Sequence, residues 1–227
     1  MAFIVNNTTF PNPLDLFAPH SCRGCGRIGN VLCRRCKKYI IDHHKNFCPK
    51  CKDPTPNSKC EKCKIPTTYI LGERAGLLDL LIQDYKYNSV RSLGPVLAEL
   101  LDEIIPTLPR DSILVPLPTS FKHIRKRALD HTFLIAKHFA KKRHLKVERL
   151  LLRAKDTVQV GSDRSTRLKQ AEEAYAINPQ FTIDPSKTYI LFDDIWTTGA
   201  SMNFCIKKLH QSGANKIIVI LLAVSKN

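Results

Sequence analysis

Residues Tyr189-Ile190-Leu191-Phe192-Asp193-Asp194-Ile195-Trp196-Thr197-Thr198-Gly199-Ala200-Ser201 run from four apolar side chains into two adjacent acids, then into a turn rich in hydroxyls and glycine. An apolar run of this length, Tyr189–Phe192, suits a buried parallel strand. Open α/β sheets bind ligands beyond the carboxyl ends of such strands. Two carboxylates placed there can accept hydrogen bonds from vicinal sugar hydroxyls or hold Mg²⁺ through water. The turn that follows offers backbone N–H groups, hydroxyls and a helix N-terminus to a phosphate. The string therefore predicts an α/β fold with a sugar-phosphate site. The plainer reading is a βα turn whose acids cap the next helix.

Outward from this string, strand and helix patterns alternate from Thr67 onward. Strands are expected at Thr67–Leu71, Ser112–Val115, Val147–Leu152, Tyr189–Phe192 and Lys216–Val224. Helices are expected at Ala75–Tyr87, Leu93–Ile105 and Ser201–Gln211, with a long basic helix inside Ser120–Arg143. Gly213 is placed to stop the helix before it. Such alternation implies an open, mainly parallel sheet with helices on both faces. Val115-Pro116-Leu117-Pro118-Thr119 lies at the end of the second strand, where a doubly wound sheet also builds its site. A Pro-x-Pro turn after a strand is often only punctuation.

The first third of the chain reads differently. Eight of nine cysteines form four C-x-x-C pairs, Cys22/Cys25, Cys33/Cys36, Cys48/Cys51 and Cys60/Cys63. Thiolates at that spacing turn around one ion as a knuckle, and two knuckles complete a tetrahedral zinc shell. The short gaps favour sequential sites, Cys22/Cys25/Cys33/Cys36 and Cys48/Cys51/Cys60/Cys63; sharing between the first and third pairs is the interleaved alternative. With no ligand pair left over, both sites read as structural Zn²⁺, and metal supplies much of the segment's folding energy. His20, His43 and His44 are expected to be solvated neighbours rather than ligands. Cys205, between Phe204 and Ile206, is expected to be a buried apolar residue. The division expected is a zinc-binding domain over residues 1–66 and an α/β domain over 67–227.

Charge adds a third signal. The net charge is +16, and residues 110–169 alone carry 16 basic and 5 acidic side chains. Such an excess attracts polyanions, nucleic acid above all, or an anionic membrane surface. No uncharged apolar run is long enough to span a bilayer. No export signal is visible at the N-terminus, so a cytoplasmic protein is expected, peripheral at most to the inner face of the membrane.

The Asp193–Ser201 string resembles the phosphoribosyl-pyrophosphate (PRPP) signature of type I phosphoribosyltransferases. The resemblance implies that Asp193 and Asp194 meet the ribose hydroxyls. Thr197, Thr198, Gly199, Ala200 and Ser201 would cradle the 5′-phosphate, with Mg²⁺ accompanying PRPP. Pro116, Leu117 and Pro118 stand where that group has its pyrophosphate loop.

Together with the double zinc ribbon and the pair Lys86-Tyr87, these motifs make the chain resemble the ComF family of competence proteins over nearly its whole length. Arg125-Lys126-Arg127-Ala128-Leu129-Asp130-His131 is similar to the family's Arg-x-Arg-Gly-Phe-Asn-Gln segment, with four positions changed. Arg153 to Tyr175 is similar to its long loop, keeping Gln159, Arg167 and Ala174-Tyr175 for the family's Ala-Phe, with Gln170 in place of Asn.

The resemblance implies a role in natural transformation, handling single-stranded DNA as it reaches the cytoplasm. Other competence proteins, such as a DNA helicase or the inner-membrane DNA channel, would be partners. Arg125, Arg127, Lys141, Lys142, Arg143, Arg153, Arg164 and Arg167 are the candidate phosphate contacts. Arg34, Arg35, Lys37 and Lys38 in the ribbons join them, and Lys86 is a further candidate of the pyrophosphate site. Aromatics for base stacking are sparse: Tyr39, Phe47, Tyr85, Tyr87 and Phe121. An active phosphoribosyltransferase, with no recognisable acceptor pocket, is the alternative expectation.

Overall fold

The computed structural model describes residues 20–119, 129–153 and 175–226. In chain order the elements are β1 (His20–Ser21), β2 (Ile28–Gly29), α1 (Arg34–Asp42), β3 (Thr67–Glu73), α2 (Gly76–Tyr87), α3 (Leu93–Ile104) and β4 (Ser112–Pro116). They continue with α4 (His131–Arg143), β5 (Lys146–Val147), β6 (Leu151–Arg153), β7 (Tyr175–Ile177), β8 (Thr188–Trp196), α5 (Ala200–Gln211) and β9 (Lys216–Val224). Five strands form one parallel sheet in the order β3-β9-β8-β4-β5. The predicted α/β class is therefore observed, preceded by a region bearing two four-cysteine clusters.

Both sheet faces are dry because the central strands alternate two apolar sets. Ile190, Phe192, Ile220 and Leu222 pack with α2, α3 and α4 on one face. Tyr189, Leu191, Val219 and Leu221 pack with α5 on the other. A period of two along each strand sends neighbours to opposite faces, so near-continuous apolar runs are what such strands require.

Two expected strands change on folding. Tyr189–Phe192 extends to Trp196, because β9 pairs alongside it as far as Val224 and carries Asp193 and Asp194 into the ladder. Val147–Leu152 breaks in two. Lys146–Val147 pairs with β4, whereas Leu151–Arg153 turns away to pair antiparallel with β7 in a separate two-stranded sheet. Periodicity does not place that break: Val147 and the Leu150–Leu152 run both read as strand positions, and the Glu148-Arg149 pair between them also fits an alternating strand.

The cysteine region is not a free appendage. Cys22, Leu32, Cys33, Cys36 and Ile40 belong to the same apolar cluster as α2 and α3. Gly24 is required by this closeness: a β-carbon there would collide with the Cys36 sulfur at 2.7 Å. Arg23 donates to Asp84 on α2 at 2.6 Å, and Asp84 is 1% exposed. Burial works against that carboxylate, but Arg23 and Asn88 hold its pKa below the usual range. The ribbons also cover the edge strand: Thr68 N–H donates to Ser58 O, and His44 Nδ1 lies 3.1 Å from Leu71 O. Covered edges do not recruit foreign strands.

Candidate functional site

The two metal clusters follow the sequential scheme. The Sγ atoms of Cys22, Cys25, Cys33 and Cys36 lie within 4.8 Å of one another, as do those of Cys48, Cys51, Cys60 and Cys63. Tetrahedral zinc with Zn–S bonds of about 2.3 Å demands S···S edges of about 3.8 Å. Cys25–Cys33 at 3.7 Å and Cys51–Cys60 at 3.6 Å fit that demand. Cys33 N–H donates to the Cys22 sulfur at 3.3 Å, and Cys63 N–H to the Cys60 sulfur at 3.4 Å. Burial opposes thiolate formation at Cys22, yet backbone N–H groups of Cys33, Cys25 and Gly24 bring that thiol down to about 6. These donor sets suit structural Zn²⁺. His43 and His44 turn their Nδ1 atoms to backbone carbonyls and belong to neither cluster.

The second site arises from topology. β4 and β8 are neighbours, but the helix described after β4 lies on one face and the helix after β8 on the other. Adjacent parallel strands whose connections part in this way leave a crevice beyond their carboxyl ends. The Pro116–Thr119 turn and the Thr197–Ser201 loop, about 80 residues apart in sequence, therefore both follow the carboxyl ends of neighbouring strands, at the switch point where such sheets bind ligands. Leu117 N–H donates to Phe192 O at 2.9 Å, and β8 runs on from there through Asp193 and Asp194 to Trp196. Gly199 caps α5 with φ +77°, and the exposed N-terminus of that helix faces outward beside Thr197 and Thr198.

The two acids take opposite sides of β8. Asp194 points to the α2/α4 face, where Lys86 Nζ lies 2.6 Å from its Oδ2 and Thr132 Oγ1 donates to the same oxygen at 3.0 Å. Asp193 points to the α5 face, where its charge acts on Tyr175 and Cys205. Lys86 thus meets the site through Asp194, a pairing invisible at a separation of 108 residues. Its neighbour Tyr85 sits edge-on to His131 at 4.9 Å, its phenol pushed up to about 12 by burial and the charges of Asp194 and Asp130.

Breaking a buried pair by removing one partner costs about 3–5 kcal/mol, because the other charge is stranded. Lys86→Ala is expected to lose about that much in denaturant unfolding, and Lys86→Ala combined with Asp194→Asn to recover most of it.

Desolvation and the adjacent Asp194 carboxylate push the Asp193 carboxyl up to about 8, against the pull of Lys86 and the Asp194 N–H. A carboxyl with a raised folded-state pKa binds its proton more tightly when folded. Its contribution is therefore fully present below the unfolded value near 4 and is lost as pH rises through about 8. Asp193→Asn removes that loss. The variant is expected to match the wild type in thermal unfolding near pH 4 and to exceed it increasingly toward pH 8.

The candidate DNA contacts are scattered. Arg125, Arg127, Arg164 and Arg167, with Phe121, lie outside the described residues. Arg143 bonds to the Asp102 carboxylate and to the carbonyls of Asp102, Ile105 and Pro106, so its guanidinium closes the C-terminus of α3. Lys142 shares Asp102 at 3.6 Å. Lys141, on the same turn, is exposed. In the ribbons, Lys37 pairs with Glu99 at 2.6 Å and Lys38 with Asp42 at 3.0 Å, whereas Arg34 and Arg35 are exposed. Arg153 stands at the end of β6, its guanidinium 5.7 Å from the centroid of the Tyr175 ring, beside the α5 side of the crevice. Cys205 is fully buried, as its apolar neighbours predicted.

Thr132, Asp84 and Arg149 make contacts that motif reading misses, with Asp194, Arg23 and Asp130 respectively. Each acts through a partner far away in sequence, and no local pattern marks it. Among the described residues no helix is long and apolar enough to cross a membrane. No protein-family model matches the chain, and no curated protein matches it either.

Proposed function

We propose that this protein binds single-stranded DNA in natural transformation, on the cytoplasmic side, and carries a site for PRPP or a related ribose phosphate. The reading takes the chain as a ComF-type competence protein whose zinc ribbons stabilise a phosphoribosyltransferase-like domain. The observation that supports the ligand half is the adjacency of β4 and β8, whose carboxyl ends lead into the Pro116–Thr119 turn and the Asp193–Ser201 stretch and whose following helices lie on opposite faces. The nucleic-acid half is supported by the net charge of +16, concentrated between residues 110 and 169.

In this reading the α5 N-terminus, Thr197, Thr198 and Ser201 hold the 5′-phosphate, and the ribose lies across the end of β8 with Asp193 on its α5 side and Asp194 on its α2/α4 side. Mg²⁺ bound with PRPP would neutralise pyrophosphate charge, with the two acids holding it through water. DNA contacts are electrostatic, salt-sensitive and largely independent of sequence. A DNA helicase or the inner-membrane channel would be the neighbouring components.

Active phosphoribosyl transfer is the second reading. It is favoured by the polarised acid pair, one carboxylate ion-paired with Lys86 and the other desolvated. Trp196 is the only tryptophan and lies between the acids and the phosphate loop, so its fluorescence reports on the crevice. Titration with PRPP and Mg²⁺ is expected to change that fluorescence saturably, and Asp193→Ala with Asp194→Ala to abolish the change. Oligonucleotide affinity is expected to fall steeply and linearly on a log–log salt plot; a flat plot would remove the DNA reading. PRPP consumption with any member of a panel of bases would establish the enzyme.

A further inference from the structure

Next to the crevice, between the Pro116–Thr119 turn, the start of α4 and the β6–β7 strand pair, lies a cleft of about 300 Å³. Its walls are apolar, with Leu117, Pro118, Phe133, Leu151 and Leu152 contributing, and Leu152 remains 41% exposed. Arg149 covers the Phe133 ring, its guanidinium carbon 3.9 Å from the ring centroid. The same guanidinium lies 3.5 Å from the Asp130 carboxylate. Asp130 is itself fixed, accepting from Thr119 Oγ1 at 3.0 Å and from Phe133 N–H at 3.2 Å. Arg153 lines the cleft as well.

These features select a ligand class. An acyl chain would find no use for an oriented guanidinium, and a simple anion none for five apolar walls. A planar ring with a polar edge and an anionic substituent uses all of them: stacking on a flat cationic layer, apolar contact around it, and a second cation for the phosphate. We infer that the cleft receives a single nucleobase, stacked on the Arg149–Phe133 layer with its phosphate directed to Arg153. The inference rests on the reading of this protein as a single-strand binder and supplies that reading with a base-sized pocket. The Pro116–Thr119 turn borders both cleft and crevice, so a nucleotide seated here adjoins the ribose-phosphate site.

The test uses an oligodeoxynucleotide carrying 2-aminopurine, whose fluorescence is quenched on stacking, and in a second arm the free 2-aminopurine nucleoside monophosphate. The wild-type chain is expected to quench both. Arg149→Lys keeps the charge and loses the plane; it is expected to lose the quench and about tenfold in oligonucleotide affinity, with the salt slope unchanged. Ala176→Phe, which fills the cleft from β7, is expected to lose both quench and affinity. Melting curves and zinc content establish that each variant is folded.

Wild-type quench and affinity in a folded Ala176→Phe chain would overturn the cleft assignment. So would oligonucleotide binding by the wild type without quenching, which would leave the DNA reading intact. Quenching of the free nucleotide with no oligonucleotide binding would keep the cleft and remove the DNA reading. No response in either arm would remove both.

Discussion

Gly199→Ala is expected to lose ribose-phosphate binding by about a hundredfold or more while retaining two zinc ions per chain. Gly199 sits at φ +77°, where a β-carbon is strained, and that β-carbon would overlap the indole of Trp196. Left-handed backbone at a non-glycine residue costs about 1–3 kcal/mol by itself. Trp196 is 4% exposed and packed among β9 and α5 side chains, so it has nowhere to withdraw. The loop must shift, and the α5 N-terminus shifts with it. Each 1.4 kcal/mol lost in binding is about tenfold, which sets the scale. Isothermal titration with PRPP and Mg²⁺ measures the loss. An alanine variant that binds as tightly as the wild type would show that the phosphate site lies elsewhere.

The second large effect concerns the metal centres, which are unequal. Cys36→Ser is expected to lower the thermal midpoint of the whole chain by about 10 °C or more, whereas Cys63→Ser leaves the sheet melting close to the wild type. Zinc contributes about 10–16 kcal/mol to the folding of small structural sites. In a chain of this size each kcal/mol is worth about 2–4 °C. Cys22, Cys33 and Cys36 lie inside the apolar cluster that includes α2 and α3, so loss of the first ion opens the principal core. Cys51 and Cys63 are only half-buried, and the second cluster touches the sheet through its margin, with Phe47 against the α5 side. Calorimetry with zinc analysis checks both. Equal destabilisation by the two variants would mean that the ribbons fold as one unit.

Much of the fold was legible from particular residues. The Lys216–Val224 strand matches its expected limits because an uninterrupted apolar run of that length has no other comfortable state. Helix α2 was readable from Leu78, Leu81, Ile82 and Tyr85, which recur at helical spacing and are all buried. The two cysteine quartets were readable because thiolates two residues apart have few uses besides metal. Pairing by gap length held, since a short connection closes a metal site at smaller entropic cost than a long one.

Other features needed the third dimension. Asp193 and Asp194 are neighbours in sequence, yet the pleat sends them to opposite faces and gives them different partners. One is ion-paired with Lys86, and the other is desolvated and raised toward neutrality. Arg143 looked like a surface cation of a basic helix until its contacts with the end of α3 placed it among helix carbonyls.

The sequence by itself determined most of the elements, the two cysteine quartets and the composition of the loops beyond β4 and β8. Those depend on local propensity, apolar period and ligand spacing, which act over a few residues. Only the tertiary structure decided that the strands leading into Pro116–Thr119 and Thr197–Ser201 are neighbours, that Lys86 lies against Asp194 and that the first cysteine cluster is part of the main core. Strand order, side-chain face and burial are properties of the assembled sheet, and no short segment of chain contains them.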